Sequence, residues 1–312
     1  MILESHKQTK LIGHDFIFEE MVNLFNNKML PNKILLSGPK GIGKSTLSYH
    51  FLNYIFSKNE NYGYNIKDQE INVNNTSFKL IDNHTHPNFY LIDLFDSNKN
   101  IEISQIRKMI EYSNKSSFNY SPRFVIIDNL EFLNTNSVNA LLKIIEEPNT
   151  NLFFILIHNT NKIILETLKS RCINFKINLT FNQSISITNK LLNLNIFDVI
   201  NNDIISYYDT PGHLINLINF AEKNKINLSN FNLDEFILFL INEGYFKKDE
   251  FIKIYIYRLI ELFFLKKIIN SDNKNRIINF HSKFVYKINN ILKFNLDTET
   301  LFMEFKSKVL NG

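Results

Sequence analysis

The chain has 312 residues, one cysteine, 35 basic against 31 acidic side chains and a formal net charge of +4. That length predicts two or three domains that fold without staples, and the lone Cys172 excludes an internal disulfide framework or a CxxC zinc module, which fits a reducing cytosol. The charge is mixed rather than polycationic, so it permits nucleic-acid contact without arguing for it.

From the N-terminus, Met1 to Lys10 carries Glu4, His6, Lys7 and Lys10 with no apolar segment, so it does not read as a signal peptide. Five short β-like runs follow in the first half: Lys33 to Ser37, Phe89 to Leu94, Phe124 to Ile127, Leu152 to Ile157 and Ile173 to Ile177. Helical spacing lies between them at Ser45 to Phe56, Ser104 to Asn114 and Ser137 to Glu146, with Pro148 placed to stop the last. Strands alternating with helices predict an α/β domain, a parallel five-stranded sheet with helices on both faces. The polar, Asn-rich stretch from Lys58 to Asn83 is expected to be an irregular excursion.

After Ile177 the strand signal fades. Asp209-Thr210-Pro211-Gly212 breaks the chain ahead of a helix at His213, and a small helical lid is expected over 179–228. Four further helix-like blocks, Leu233 to Asn242, Asp249 to Ile269, Lys274 to Leu292 and Thr298 to Leu310, predict an all-α bundle over 229–312, with Asp297 capping the last. Even the greasiest block is punctuated by Lys253, Arg258, Glu261, Lys266 and Lys267, so no membrane span is expected. No repeat of 20 to 50 residues is visible.

The strongest chemical signal is Gly38-Pro39-Lys40-Gly41-Ile42-Gly43-Lys44-Ser45-Thr46. It fits G-x-x-x-x-G-K-[ST] between a strand and a helix, where backbone amides and a helix N-terminus cradle phosphates, Lys44 reaches the terminal phosphates and Ser45 ligates Mg²⁺. A phosphate loop also needs an acid at the end of a neighbouring strand. Asp128, closing Val125-Ile126-Ile127, is either that metal-holding residue or an ordinary strand-end turn residue. Ser170-Arg171-Cys172, before the last strand, is by itself equally compatible with a solvated strand entry.

Taken in order, Leu11-Ile12-Gly13-His14, GPKGIGKSTLSYHF, ISQIRKMIEY, FVIIDNLEFLNTNSVNALLKIIEEPN and LKSRC resemble the delta-prime family of bacterial DNA polymerase III clamp-loader subunits, AAA+ P-loop proteins. The likeness is close from Leu11 to about Ile177. Beyond that it rests on Thr210-Pro211-Gly212-His213-Leu214 and Phe294-Asn295-Leu296-Asp297. The resemblance implies a cytoplasmic assembly with delta and tau/gamma type subunits that places a sliding clamp on primed DNA. It also implies that Arg171 serves in trans as an arginine finger at a neighbour's ATP.

Three departures shape the expectation. No four-cysteine zinc module follows the P-loop helix, and His84 and His86 are read as structural or solvated, so no zinc is expected. Asn129 stands where ATPases of this type place a glutamate, and His213 where they place a sensor arginine. The chain is therefore expected to bind ATP or ADP with Mg²⁺ and to hydrolyse it poorly. The alternatives are an active ATPase motor, with Glu131 positioning water, and a scaffold whose P-loop binds nothing.

Overall fold

The computed structural model describes residues 4–94, 100–115, 121–146, 151–271, 274–294 and 296–310. Pro148 and Asn295, singled out above, lie outside the described residues. The chain divides into two compact units, Met1–Ile187 with Thr210–Gly212, and Thr188–Asp209 with His213–Gly312.

All five expected strands form: β1 (Lys33–Gly38), β2 (Phe89–Ile92), β3 (Arg123–Ile127), β4 (Leu152–Asn159) and β5 (Ile173–Lys176). They make one parallel sheet in the order β2-β3-β4-β1-β5. Parallel strands need crossovers, and α1 (Asp15–Asn26), α2 (Lys44–Phe56), α3 (Thr76–Asp82), α4 (Ile103–Asn114), α5 (Thr135–Glu146), α6 (Glu166–Lys169) and α7 (Phe181–Leu192) run before, between and after them. This is the α/β architecture with both faces covered that the strand and helix alternation predicts.

The central strands are apolar throughout because each face is buried. Ile34, Leu36, Phe124, Ile126, Ile155 and Ile157 point to one side, packed with Phe18, Met21, Leu47 and Phe51 of α1 and α2. Leu35, Val125, Ile127, Phe154 and Leu156 point to the other, against Ile106, Met109, Leu141 and Ile145 of α4 and α5. Phe124 sits at the centre of an aromatic group, stacked on Phe153 at 5.0 Å and edge-on to Phe51 and Phe56 at 6.1 and 5.8 Å.

Local differences from the expectations have identifiable causes. The stretch read as irregular contains α3, whose first turn is capped by Asn75 accepting from the Phe78 amide at 2.6 Å. Helix α1, not anticipated, buries Phe18, Met21 and Val22 on one face. Strand β4 runs two residues further than its apolar run, because His158 and Asn159 stay in register with Ser37 and Gly38 of β1.

The second unit is helical: α8 (Ile196–Val199), most of α9 (Pro211–Asn224), α10 (Leu233–Asn242), α11 (Tyr245–Lys248), α12 (Glu250–Asn270), α13 (Lys274–Phe294) and α14 (Glu299–Phe305). The N-cap of α14 is Thr298, one residue after the expected Asp297, but Asp297 still accepts from the Glu299 and Thr300 amides at 3.2 and 3.0 Å. Phe246, Phe263, Phe264, Phe284, Phe302 and Phe305 supply much of this unit's core. Among the described residues no helix is long and apolar enough to cross a membrane.

Candidate functional site

Strand β1 delivers the chain into the glycine-rich loop, and two of its glycines admit no side chain. A Cβ on Gly38 would stand 2.2 Å from the Ile177 carbonyl oxygen. Gly43 has φ +92, a left-handed conformation that L side chains rarely adopt, and a Cβ there would meet His14 Nε2 at 2.9 Å. That imidazole is buried under the loop with Nε2 2.5 Å from the Ile42 carbonyl oxygen, and burial pulls its pKa below the ordinary histidine value. The loop is braced from above as well. The Thr210 hydroxyl donates to the Lys40 carbonyl at 2.9 Å, and the Gly212 amide donates to the Gly41 carbonyl at 2.9 Å.

Helix α2 then begins at Lys44 with no side-chain cap and no acidic residue in its first turn. An uncapped helix N-terminus carries unpartnered amides and a partial positive charge, the requirement for an anion. Lys44 adds a full cation that is only 4% exposed. Its ammonium donates to the carbonyls of Gly38 (3.0 Å) and Pro39 (2.6 Å) and to Asn159 Oδ1 (2.9 Å). Burial pulls this amine down to about 8, partly opposed by the carboxylates of Asp128 and Glu131.

The next residue, Ser45, donates its hydroxyl to Asp128 Oδ2. Asp128 therefore lies beside the loop, as its place at the end of β3 suggests. Burial first, and the charge of Asp93 second, push its pKa up to about 6, against the opposing hydrogen bonds from Ser45 and the Asn129 amide. Asn129 takes a left-handed φ of 55, and its Nδ2 donates to Asp93 Oδ1 at 2.7 Å. A hydroxyl and a carboxylate are the hard oxygen donors that Mg²⁺ takes alongside phosphate oxygens and water. Among the described residues there is no group of three or more His, Cys, Asp or Glu placed to hold a metal ion, which a phosphate-assisted Mg²⁺ does not require. Loop, uncapped helix, buried amine and oxygen pair thus fit a magnesium-bound polyphosphate.

The elevated Asp128 gives a signed prediction. Its folded pKa of about 6 lies above the ordinary aspartate value of 3.8, so the stability that its protonated form contributes is complete below pH 4 and is lost as pH rises through about 6. Asp128→Asn should therefore stabilise the metal-free protein at pH 8 by on the order of 2 kcal/mol, with the gain vanishing by pH 4. Thermal unfolding in a chelator across that range is the check, and an equal gain at both ends would contradict it.

Two residues of this cluster carried no sequence signal. Asn159, the last residue of β4, donates Nδ2 to Glu131 Oε1 at 2.7 Å and to Asn129 Oδ1 at 3.2 Å, and its backbone amide donates to Glu131 Oε2 at 3.1 Å. Asp93, following β2, accepts from Asn129 Nδ2 at 2.7 Å, and its charge acts on Asp128. Glu131 is the candidate water-positioning carboxylate of the motor alternative. Its carboxylate is instead spent on Asn159.

Arg171 lies at the surface after α6, 37% exposed. Its Nε and Nη2 reach Glu146 Oε1 at 3.0 and 2.8 Å, and Nη1 donates to the Thr167 carbonyl at 2.8 Å. These partners are separate from the loop cluster. His213, in the second unit, meets the guanidinium of Arg258 from α12, which also bonds the Tyr208 carbonyl at 2.7 Å and Asp209 Oδ1 at 3.2 Å. His86 is buried, stacked on Phe56 at 4.1 Å, and burial lowers it to about 4. His84 turns the chain with φ +55.

Comparison with known proteins follows the same lines. A family model described as DNA polymerase III, delta subunit, matches residues 13–180. Among curated relatives, DNA polymerase III subunit gamma of Buchnera aphidicola subsp. Schizaphis graminum is 31% identical over 231 residues, 71% of this chain and 61% of that one. The subunit delta' of the same organism is 27% identical over 289 residues, 88% of this chain and 84% of that one. The match thus spans about three-fifths of the gamma subunit and most of the delta' subunit. Among solved structures, the Holliday junction branch migration motor RuvB of Thermotoga maritima aligns with TM-score 0.41 at 14% identity, over 78% of this chain and 81% of that chain.

Proposed function

Because the chain belongs to the DNA polymerase III delta-subunit family, we propose that it serves as a delta-prime-like subunit of a cytoplasmic sliding-clamp loader. In this reading it assembles with delta and tau/gamma type subunits, and through them meets the clamp and primed DNA. Residues 179–228 form the lid and 229–312 the collar that joins the subunits.

The observation that carries the reading is a complete phosphate cradle beside a hydrolytic position filled by an amide. Gly38, Pro39, Lys40, Gly41, Ile42, Gly43, Lys44, Ser45 and Thr46 bind the phosphates of ATP or ADP, with Asp128 on the metal side. Bound Mg²⁺, reached through Ser45 and Asp128, would neutralise phosphate charge. Asn129 has no basic oxygen to take a proton from water, and its amide is committed to Asp93. Own turnover is therefore weak, and the chain's contribution to hydrolysis is Arg171, offered to the nucleotide of a neighbouring subunit.

The purified chain should turn over ATP far more slowly than about 1 s⁻¹, should bind ADP in a manner abolished by Lys44→Ala, and should co-purify with the other loader subunits when co-expressed. A Lys44-dependent rate above that figure would favour the motor reading, in which Glu131 leaves Asn159 to position water. Failure to join the complex would end the proposal.

A further inference from the structure

We propose that Glu131 is a positioning residue that weakens nucleotide binding by fixing the Asn159 amide with its oxygen, not its NH2 group, toward Lys44. The inference rests on the P-loop binding nucleotide, and it assigns to that site a built-in restraint.

A carboxylate accepts hydrogen bonds and donates none. With Glu131 Oε1 at 2.7 Å from the Asn159 side-chain nitrogen and Oε2 taking the Asn159 backbone amide at 3.1 Å, the opposite amide orientation would press oxygen against oxygen. Asn129 Oδ1 accepts from the same nitrogen at 3.2 Å and reinforces the choice. The amide is 5% exposed, so water cannot readily compensate a flip. Asn159 Oδ1 is thereby aimed at the Lys44 ammonium at 2.9 Å.

The consequence for Lys44 follows from counting donors. An ammonium has three, and Gly38, Pro39 and Asn159 take one each. A phosphate that recruits Lys44 must break at least one of these bonds, and the Asn159 oxygen opposes the incoming negative charge. The flipped amide would instead donate to it, but Glu131 forbids the flip. An ordinary structural role for Glu131, pinning the end of β4, predicts the reverse: loosening it should disorder the site and weaken binding.

Glutamine at 131 keeps the shape and can donate or accept, so it releases the amide. The test is titration of the full-length chain with a fluorescent ADP and Mg²⁺, comparing wild type, Glu131→Gln, Asn159→Ala and the double variant, with Lys44→Ala as the control. Glu131→Gln should bind about three- to tenfold more tightly than wild type, the net effect of one ordinary hydrogen bond. In the Asn159→Ala background the same change should shift affinity by less than about twofold. An equal gain in both backgrounds would show simple charge repulsion and overturn the proposal, as would unchanged or weaker binding by Glu131→Gln. Glu131→Ala provides the same comparison should the glutamine variant melt early in the absence of nucleotide. If wild type binds in a Lys44-dependent way and Glu131→Gln does not differ, only this inference fails. If no variant binds at all, the nucleotide-site reading fails with it.

Discussion

Replacing Arg171 by alanine in a reconstituted loader should lower hydrolysis at the composite site by about a thousandfold, the range in which arginine fingers act. The surroundings of Arg171 are compatible with that proposed role. The guanidinium is at the surface, and its ion pair is with Glu146, itself 51% exposed. Such a pair is worth roughly 0–1 kcal/mol, so it can be exchanged at little cost for a phosphate. Among the described residues, Glu146 and the Thr167 carbonyl engage three of the five guanidinium donors, which orients the fork while leaving donors for a second ligand. Arg171→Lys should also fail, since an ammonium keeps the charge but lacks the planar fork. Because neither substitution touches a core, both complexes should assemble normally by size-exclusion chromatography. Single-turnover hydrolysis in the presence of primed DNA is the decisive measurement, and a fully active Arg171→Ala complex would refute the role in trans.

Phe124→Ala should destabilise the α/β unit by about 3–5 kcal/mol. The ring, on the second residue of β3, is fully buried and packs on Phe51, Phe56 and Phe153. Removing it takes away apolar area and leaves a void that the neighbouring rings, each held by other contacts, cannot fill. Phe124→Leu keeps most of the volume and should cost less than half as much. Urea unfolding followed by tyrosine fluorescence would show the difference, with amide exchange on β3 and β4 locating it, since two compact units need not melt together. A loss below about 1 kcal/mol would mean that the sheet face does not depend on this cluster.

Much of the first unit was legible because its signals are local. Five short β-like runs and a G-x-x-x-x-G-K-S loop between strand and helix need no knowledge of the rest of the chain. The loop residues and Asp128 meet in space because β1 and β3 end on the same edge of a parallel sheet, which the alternation of strands and helices already implies. What escaped was set by distance or by composition. Asn159 ends β4 beyond its apolar run, so nothing in the run of residues separates it from the loop that follows. Arg258 reaches His213 from 45 positions away. Helix α3 is announced only by an asparagine cap, and in a chain this rich in asparagine a cap carries no information. Glu131 reads in sequence as an available carboxylate, whereas the fold sets both of its oxygens on Asn159.

The bracing of the phosphate loop by Thr210 and Gly212 bears on how the protein is made. The sheet is complete once β5 has left the ribosome, yet Lys40 and Gly41 wait for partners some 170 positions later. During synthesis at about 5–20 residues per second, a nascent chain thus passes through an interval with a finished sheet and an unsupported loop. Ligand binding by the growing polypeptide would mature only after translation has passed Gly212.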